Sequence, residues 1–351
     1  MALHKVVVIT GGSSGIGRST AALFAHHGWR IGLIARGRQG LEESARDIAA
    51  TGSLVATAQA DVSDSIALSD AVLSITNQLG PVDVWVNCAG NGVYGRFGDV
   101  PETDFHRITE VTYHGTVNGT RIALAHMRER GQGTIINICS AAAFHGLPLM
   151  SSYSGAKAAV RAFGQAVRGE LKLENSPIRL RSIFPPAVNT PFFSHAISHM
   201  GWPARPVGPV YQPQVIAQGI WLAAKQGNSD TVVSGTAALF SLACRISPTL
   251  IGWCMGRLKF ERQTTHSESA YACLEPTVHA ASTQSLGTRG PFGALARNWS
   301  AHLWLKARLS APADVIAHRG SPLSAPALQS KPDPQAPHQE RADLALQSSD
   351  S

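Results

Sequence analysis

"KVVVITGGSSGIGRSTAALFAHHGWRIGLIARGR", residues 5–38, decides the fold. Lys5–Ile9 is a strand-length apolar run that leads straight into a glycine-rich turn. Arg18–His27 follows as a helical stretch, and Arg30–Ala35 as a second β-branched run. Strand, glycine turn, helix, strand is the opening of a parallel βαβ unit. The alternation continues with strands predicted at Leu54–Asp61, Val82–Asn87, Thr134–Ile138, Ile178–Phe184 and Thr231–Ser234. Helices are predicted over Leu41–Ala50, Ser65–Gln78, Glu102–Arg130 and Ser152–Glu174. The fold class is therefore α/β, a doubly wound parallel sheet of about seven strands with helices on both faces. Such sheets bind ligands beyond the carboxyl ends of their strands, where the strand order reverses. The loops that follow the strands are the places to look for chemistry.

The first of these loops is "TGGSSGIG", Thr10–Gly17. Gly11 allows a tight turn, Gly15 lets the backbone approach a pyrophosphate, and Gly17 permits close packing of helix on strand. The helix that starts near Ile16 then offers unpaired N–H groups and a positive dipole end to the phosphates. Dinucleotide folds that select NAD place an acidic residue about 20 positions on, against the ribose 2′-hydroxyl. No carboxylate occurs from Arg18 to Leu41; "IARGR" puts Ala35 at that place, followed by Arg36 and Arg38. A guanidinium there pairs with a 2′-phosphate, which points to NADP and to Arg36 as its clamp. Arg38 reads equally well as part of a solvated turn. After the third strand, "ADVS" offers Asp61 as an acceptor for the adenine amino group.

"SSYSGAK", residues 151–157, stacks Tyr153 and Lys157 on one face of a helix. Alone, that pair describes a polar helix surface as well as a proton-transfer device. Taken with "TGGSSGIG", "ADVS", "NCAG" (87–90) and Ser140, it resembles the short-chain dehydrogenase/reductase family in its seven-stranded NADP-dependent branch. The resemblance spans roughly residues 5–235 and implies a Rossmann-type domain. It also implies roles position by position. Gly11, Gly15 and Gly17 hold the pyrophosphate, with Ser13, Ser14 and Ile16 of the same loop beside the cofactor. Asp61 and Val62 border the adenine; Asn87, Ala89 and Gly90 stabilise the central strand beside the cofactor. Val188 and Thr190, after the sixth strand, complete the cofactor contacts. Tyr153 is the acid/base, Ser140 binds the reacting oxygen and Lys157 binds the nicotinamide ribose. Two positions depart from the pattern. Cys88 replaces a second asparagine, and Thr112 of "VTYHG" stands where the family carries a catalytic asparagine. Thr112 can serve through its backbone carbonyl, while its hydroxyl can bond back to the preceding turn. Asn118, six residues on, faces elsewhere.

The groups themselves explain the chemistry. A free tyrosine is a poor base at neutral pH; Lys157 close to Tyr153, with the oxidised nicotinamide's positive charge nearby, is expected to favour the phenolate and lower its pKa. In reduction Tyr153 gives its proton to a carbonyl oxygen, and Ser140 hydrogen-bonds the same oxygen. Phe144, His145, Leu147, Phe192, Phe193 and Trp202 are expected to line an apolar substrate pocket for a ketone or secondary alcohol. The segment 191–212, broken by Pro and Gly, reads as a mobile flap over it. The expected function is interconversion of a ketone or aldehyde and an alcohol with NADP(H). The other class open at this stage is a non-catalytic, NADP(H)-binding, redox-responsive module.

Composition agrees with a globular enzyme: 44 % of the 351 residues are apolar and 15 % charged. Residues 263–351 hold seven basic and seven acidic residues, so the net +7 belongs entirely to residues 1–262. That placement argues against a nucleic-acid-binding tail and suits a core holding a polyanionic small molecule. The five cysteines are odd in number and form no C-x-x-C pair, which predicts reduced thiols and a cytoplasmic setting; no His/Cys/Asp cluster has metal-ligand spacing, so no metal is expected. No export signal is expected, since "MALHK" runs directly into the first strand. The apolar stretch 232–256 is interrupted by Arg245 and Pro248, which predicts a buried or interfacial helical pair, with monotopic membrane contact as the sharper reading. Residues 1–262 are expected to form the catalytic domain, 263–310 a partly helical extension and 311–351 a disordered tail. In the extension, Leu295, Trp299 and Leu303 are at helical spacing and predict packing onto the domain or across a homo-oligomer.

Overall fold

The computed structural model describes residues 4–225, 230–257, 263–266 and 276–309. Residues Met1–Ala311 group into one compact unit, so the described part of the C-terminal extension belongs with the catalytic domain. The tail expected over 311–351 lies outside the described residues, as does Cys273.

Seven strands form one parallel sheet: β1 (Val6–Thr10), β2 (Arg30–Ala35), β3 (Val55–Gln59), β4 (Val84–Asn87), β5 (Thr134–Ile138), β6 (Arg179–Phe184) and β7 (Asp230–Val232). Their order across the sheet is β3-β2-β1-β4-β5-β6-β7, and the order reverses between β1 and β4. There Ile9 pairs with Val86 and Thr10 with Asn87, bringing the glycine loop and "NCAG" side by side. All five residues of β1 are buried, the pattern of a strand covered on both faces.

One face carries α1 (Gly15–His26), α2 (Arg38–Ala49) and α7 (Pro213–Lys225), which bury Phe24, Ile48, Ile216 and Ile220 against Val7, Ile9 and Ile31. The other carries α3 (Ser65–Leu79), α5 (Gly115–Arg130) and α6 (Ser151–Leu173) around Val6, Val8 and the fully buried Trp85. Asp64 caps α3, its carboxylate accepting from the N–H groups of Ile66 and Ala67.

The helix predicted over Glu102–Arg130 is interrupted. α4 (Glu102–Thr109) leads into a π-helical turn at Glu110–His114, and α5 resumes at Gly115. The 232–256 stretch forms two helices, α8 (Gly235–Ile246) and α9 (Pro248–Gly256), bent by 117° at Ser247. No single described helix is long and apolar enough to cross a membrane. The pair is not buried: Ala237 is the one buried residue of α8, and α9 has none.

The extension corrects the helical reading of 295–303. Ala296–Arg297 is a short strand paired with Val210–Tyr211, which in turn pairs with Ala187–Val188. Helix α10 (Ala301–Leu309) begins only after Ser300, whose hydroxyl accepts from the Leu303 N–H and donates to the Val233 carbonyl. Leu303 is buried against α7 and Val233, while Leu295 and Trp299 are exposed. Segment 191–212 is built from short pieces. Phe192–His195 is a helical turn and Ile197–Ser198 pairs with Val93–Tyr94.

Candidate active site

The glycine loop folds as its residues require. Gly11 has φ +68°, and a Cβ there would lie 2.9 Å from the Ala89 backbone. A Cβ on Gly17 would stand 2.1 Å from the Gly11 carbonyl oxygen, so the turn and the start of α1 touch through glycine. The contact is turn against helix, where helix against strand was expected. Gly15 has φ +52° and faces Thr190, 3.2 Å from where its Cβ would be. Thr10 pins the opposite side, its hydroxyl oxygen accepting from the N–H groups of Cys88 (3.1 Å) and Ala89 (3.3 Å). Asn87 is held in a buried network: its amide donates to Asn137 and Thr120, and its oxygen accepts from Trp85.

Along this edge runs a cavity of about 560 Å³. At one end are Gly11, Ser13, Ser14, Gly15, Ile16 and Gly17 with Arg36, Asp61 and Val62. At the middle are Cys88, Ala89, Gly90, Ser140, Tyr153 and Lys157, with Val188 and Thr190 opposite. The expected cofactor residues and the Ser140, Tyr153, Lys157 set are thus brought to one groove. Thr112 is buried just behind it.

Two observations test the groove against a dinucleotide. The glycine cradle leaves no room for a side chain at Gly11 or Gly17, and Ser14, the N-cap of α1, makes no side-chain capping bond. A helix N-terminus left without a side-chain cap beside such a cradle suits a pyrophosphate. The residues fit the group.

Tyr153 opens onto the cavity, with Ser140 in hydrogen-bonding contact. The Ser140 oxygen also accepts from the Ala142 N–H at 3.1 Å, which fixes the rotamer and leaves its proton to donate. Lys157 is buried; its Nζ donates to the Ile138 carbonyl at 2.7 Å and lies 5.7 Å from the Tyr153 ring centre. The lowering of the Tyr153 pKa was expected with the oxidised nicotinamide alongside; in the protein by itself the shift runs the other way. Burial pushes the phenol up to about 12 despite the Ser140 hydrogen bond. Burial likewise pushes the Lys157 ammonium down. The thiols of Cys88 and Cys139 are raised by burial, to about 12 and about 11, and stay protonated.

Thr112 sits at the centre of the π-helical turn. Its hydroxyl does not take up the bond to the preceding turn that was open to it, but is a buried oxygen without a partner. Its carbonyl accepts from the Thr116 hydroxyl at 2.8 Å. A Cβ on Gly90 would be 3.9 Å from Thr112 Oγ1 and 3.8 Å from Lys157 Nζ, so both groups front one spot. Asn118 turns away and donates to the Val62 and Ser63 carbonyls.

Asp61 and Arg36 make protein contacts beyond those expected, and Arg38 takes one of its two open readings. Asp61 is drawn into a network: one oxygen accepts from the Ser63 N–H and hydroxyl, and the other pairs closely with Arg107. Burial opposes ionisation of Asp61, but these hydrogen bonds and the Arg107 charge hold its carboxyl below the ordinary range. Arg36 donates to the backbone carbonyls of Thr277, Val278 and His279 and lies 3.8 Å from Asp61. Arg38 pairs with Glu42 in solvent, the solvated reading.

Of the expected pocket residues, Leu147, Phe192 and Phe193 line the cavity. Phe192 packs 5.5 Å from Tyr153, in space left by Gly92. Phe144 instead stacks on Phe184 under Arg161, His145 lies against Gly252 of α9, and Trp202 packs on His266. The cavity is completed by Tyr94, Met150, Phe240 and Met255, none of which carries a motif. Arg107 was equally invisible, one charge in a long helical pattern. Among the described residues no cluster of His, Cys, Asp or Glu could hold a metal ion.

A glycine cradle at the strand-order reversal, opening onto a serine, tyrosine and lysine, defines a class: dinucleotide-dependent oxidoreductases. Residues 5–200 match the family model for short chain dehydrogenases. The uncharacterized oxidoreductase YxnA of Bacillus subtilis is 30 % identical over 266 residues, covering 75 % of this chain and 74 % of that one. The 3-ketodihydrosphingosine reductase of Bos taurus is 32 % identical over 251 residues, 69 % of this chain and 75 % of the relative. An alcohol dehydrogenase from Thermococcus sibiricus solved with 5-hydroxy-NADP superposes with TM-score 0.58 at 26 % identity, over 65 % of this chain and 95 % of that one. A Mycobacterium paratuberculosis short chain dehydrogenase bound to NAD gives TM-score 0.57 at 27 % identity, over 66 % and 97 %. The chain belongs to the short-chain dehydrogenase/reductase family. It is an oxidoreductase of the CH–OH/C=O couple that uses a nicotinamide cofactor. The non-catalytic alternative is set aside.

Proposed function

We propose that this enzyme is an NADP(H)-dependent reductase of an apolar, lipid-like ketone, working reversibly on the corresponding alcohol, in the reducing cytoplasm. One observation carries the reading. Tyr153, flanked by Ser140 and Lys157, faces a cavity whose lining includes Tyr94, Leu147, Met150, Phe192, Phe193 and Phe240. Such a lining selects an apolar substituent. The reductase name of the sphingoid-base relative supports an aliphatic ketone. Four unpaired cysteines among the described residues support the reducing setting.

The nicotinamide, when bound, supplies the hydride. Everything else falls to this chain. Ser140 donates a hydrogen bond to the carbonyl oxygen as negative charge builds on it. Tyr153, a phenol at neutral pH whose pKa burial raises further, to about 12, transfers its proton to that oxygen and completes the alcohol. The phenolate left behind is stabilised by the nearby Lys157 ammonium. The unpaired Thr112 hydroxyl faces the same spot as Lys157 Nζ and suits a water that returns a proton to the lysine. NADP is favoured by Arg36 and by Ala35 in place of an acid.

The test is NADPH consumption with ketones of increasing chain length, and NADPH formation with the matching alcohols. Catalytic efficiency is expected to rise with chain length. No turnover of any carbonyl by protein that binds NADPH would refute the assignment.

A further inference from the structure

We propose that the α8–α9 pair docks this protein onto an anionic bilayer surface, with the mouth of the cavity at the lipid. Leu239, Leu242 and Ile246 share one face of α8, and Leu250 and Trp253 one face of α9; all five are more than half exposed. α10 packs beside α8 and adds exposed Leu305 and Leu309. Seven large exposed apolar side chains on three neighbouring helices exceed what scattered surface residues explain and mark a docking site. Its partner is chosen by charge. Arg245 of α8 and Arg257 at the end of α9 are exposed and neither helix carries an acidic residue, which complements anionic headgroups. The opposite side of the same helices enters the cavity through Thr236, Ala237, Phe240 and Met255, so a lipid-like ketone leaving the bilayer has an apolar path to Tyr153. That purpose rests on the apolar-substrate reading, but docking is read without substrate. The full-length protein is co-sedimented with vesicles of phosphatidylcholine mixed with phosphatidylglycerol, and of phosphatidylcholine alone, beside the exposed-surface variant Leu242→Asp/Ile246→Asp. Binding to the anionic vesicles is expected, reduced without phosphatidylglycerol and lowered about tenfold or more by the variant. Equal partitioning of variant and wild type, or no binding, overturns the proposal. So does light scattering that shows a wild-type dimer made monomeric by the variant, because the face is then a contact between copies.

A different set of contacts carries a second inference. The segment 276–290 is drawn as a strap across the cofactor groove. The Thr277 N–H donates to the His195 carbonyl, and Val278 is fully buried beside Val93, Ile108 and Ala156. The carbonyls of Thr277, Val278 and His279 take the Arg36 guanidinium, and the Val278 carbonyl also accepts from Asn91 and Arg107. Farther along, Ser285 meets Arg18 and the Gly287 carbonyl accepts the Gly15 N–H at 3.0 Å. His279 closes the strap onto the buried Asp104 carboxylate at 2.7 Å. The donors taken are those assigned to the 2′-phosphate and the pyrophosphate. We infer that the strap is autoinhibitory: its carbonyls occupy the Arg36 guanidinium and the Gly15 N–H, and must be displaced from them for NADP(H) to bind.

This rests on the NADP reading, and the experiment separates the two. NADPH binding to the full-length protein is measured by nucleotide fluorescence for wild type, His279→Ala and Val278→Ala, with hydrogen exchange of 276–290 followed in parallel. Loosening the strap is expected to tighten NADPH binding about tenfold, the loss of one charge-assisted anchor, and NADPH is expected to speed exchange of the segment. Weaker binding in the variants, or slower exchange on adding NADPH, makes the strap a lid that retains the cofactor and overturns the inference. Unchanged affinity with unchanged exchange overturns it too, leaving the cofactor reading intact. Failure of wild type and both variants to bind any nicotinamide nucleotide removes the cofactor reading and the strap inference together.

Discussion

Tyr153 and Lys157 lie one helical turn apart on α6, yet the lysine's hydrogen bond goes to the Ile138 carbonyl and not to the phenol. The consequence is a tyrosine that starts as an acid. Removing it should lower the turnover number about 10²–10⁴-fold, the usual contribution of a positioned proton donor, while NADPH affinity is kept. Parallel titration and kinetics of Tyr153→Phe check this; retention of most activity would assign the proton to another group. The raised pKa also fixes the sign of the pH dependence. The protonated form needed for ketone reduction persists through neutral into alkaline pH, whereas alcohol oxidation needs the scarce phenolate and should accelerate as pH rises. A reduction rate that falls with a midpoint near neutrality would show that bound cofactor reverses the effect of burial. At the other end of the groove, Ala35→Asp with Arg36→Ile should shift preference toward NADH. The ratio of the two affinities is the measure, since any loosening of the strap acts on both nucleotides alike.

The π-helical turn at Glu110–His114 shows how one element adapts to its sequence. Threonine at 112 keeps the distortion, its carbonyl is engaged by Thr116, and its hydroxyl is left aimed at the lysine's side of the groove. An asparagine side chain is longer and can reach a partner, so Thr112→Asn should keep or raise the turnover rate. Assay of both proteins across pH with one accepted ketone decides it; an inactive wild type rescued by the substitution would overturn the scheme. The strands could be read from sequence because each is a short β-branched run with its own turn chemistry, and the glycine loop because sterics leave no other residue. Periodicity did not show the interruption of Glu102–Arg130, because a π turn preserves the local helical pattern on both sides; only the resemblance at Thr112 pointed to a distortion there. The strap was illegible for another reason. It engages Arg36 and Gly15 through main-chain carbonyls, which every residue carries, so no side-chain pattern marks it. Leu295 and Trp299 misled because their helical spacing spans a strand and a cap.

Across the whole molecule, the sheet supplies the groove and the C-terminal extension completes it. Truncation after Ser310 should leave folding and NADPH binding intact, because Leu303, the buried anchor of α10, is retained. Thermal unfolding and nucleotide titration of the truncated chain test this, and aggregation or loss of binding would show a role for the remainder. The extension is fastened on either side of the strap: Thr264 bridges Ala204 before it, and Ala296–Arg297 joins the strand at Val210–Tyr211 after it. A segment tied at both ends competes for Arg36 as an internal ligand, at an effective concentration on the order of millimolar that no dilution lowers. The nucleotide therefore meets the same competitor in a dilute assay as in a crowded cell, and the groove is offered back to the strap each time product nucleotide departs.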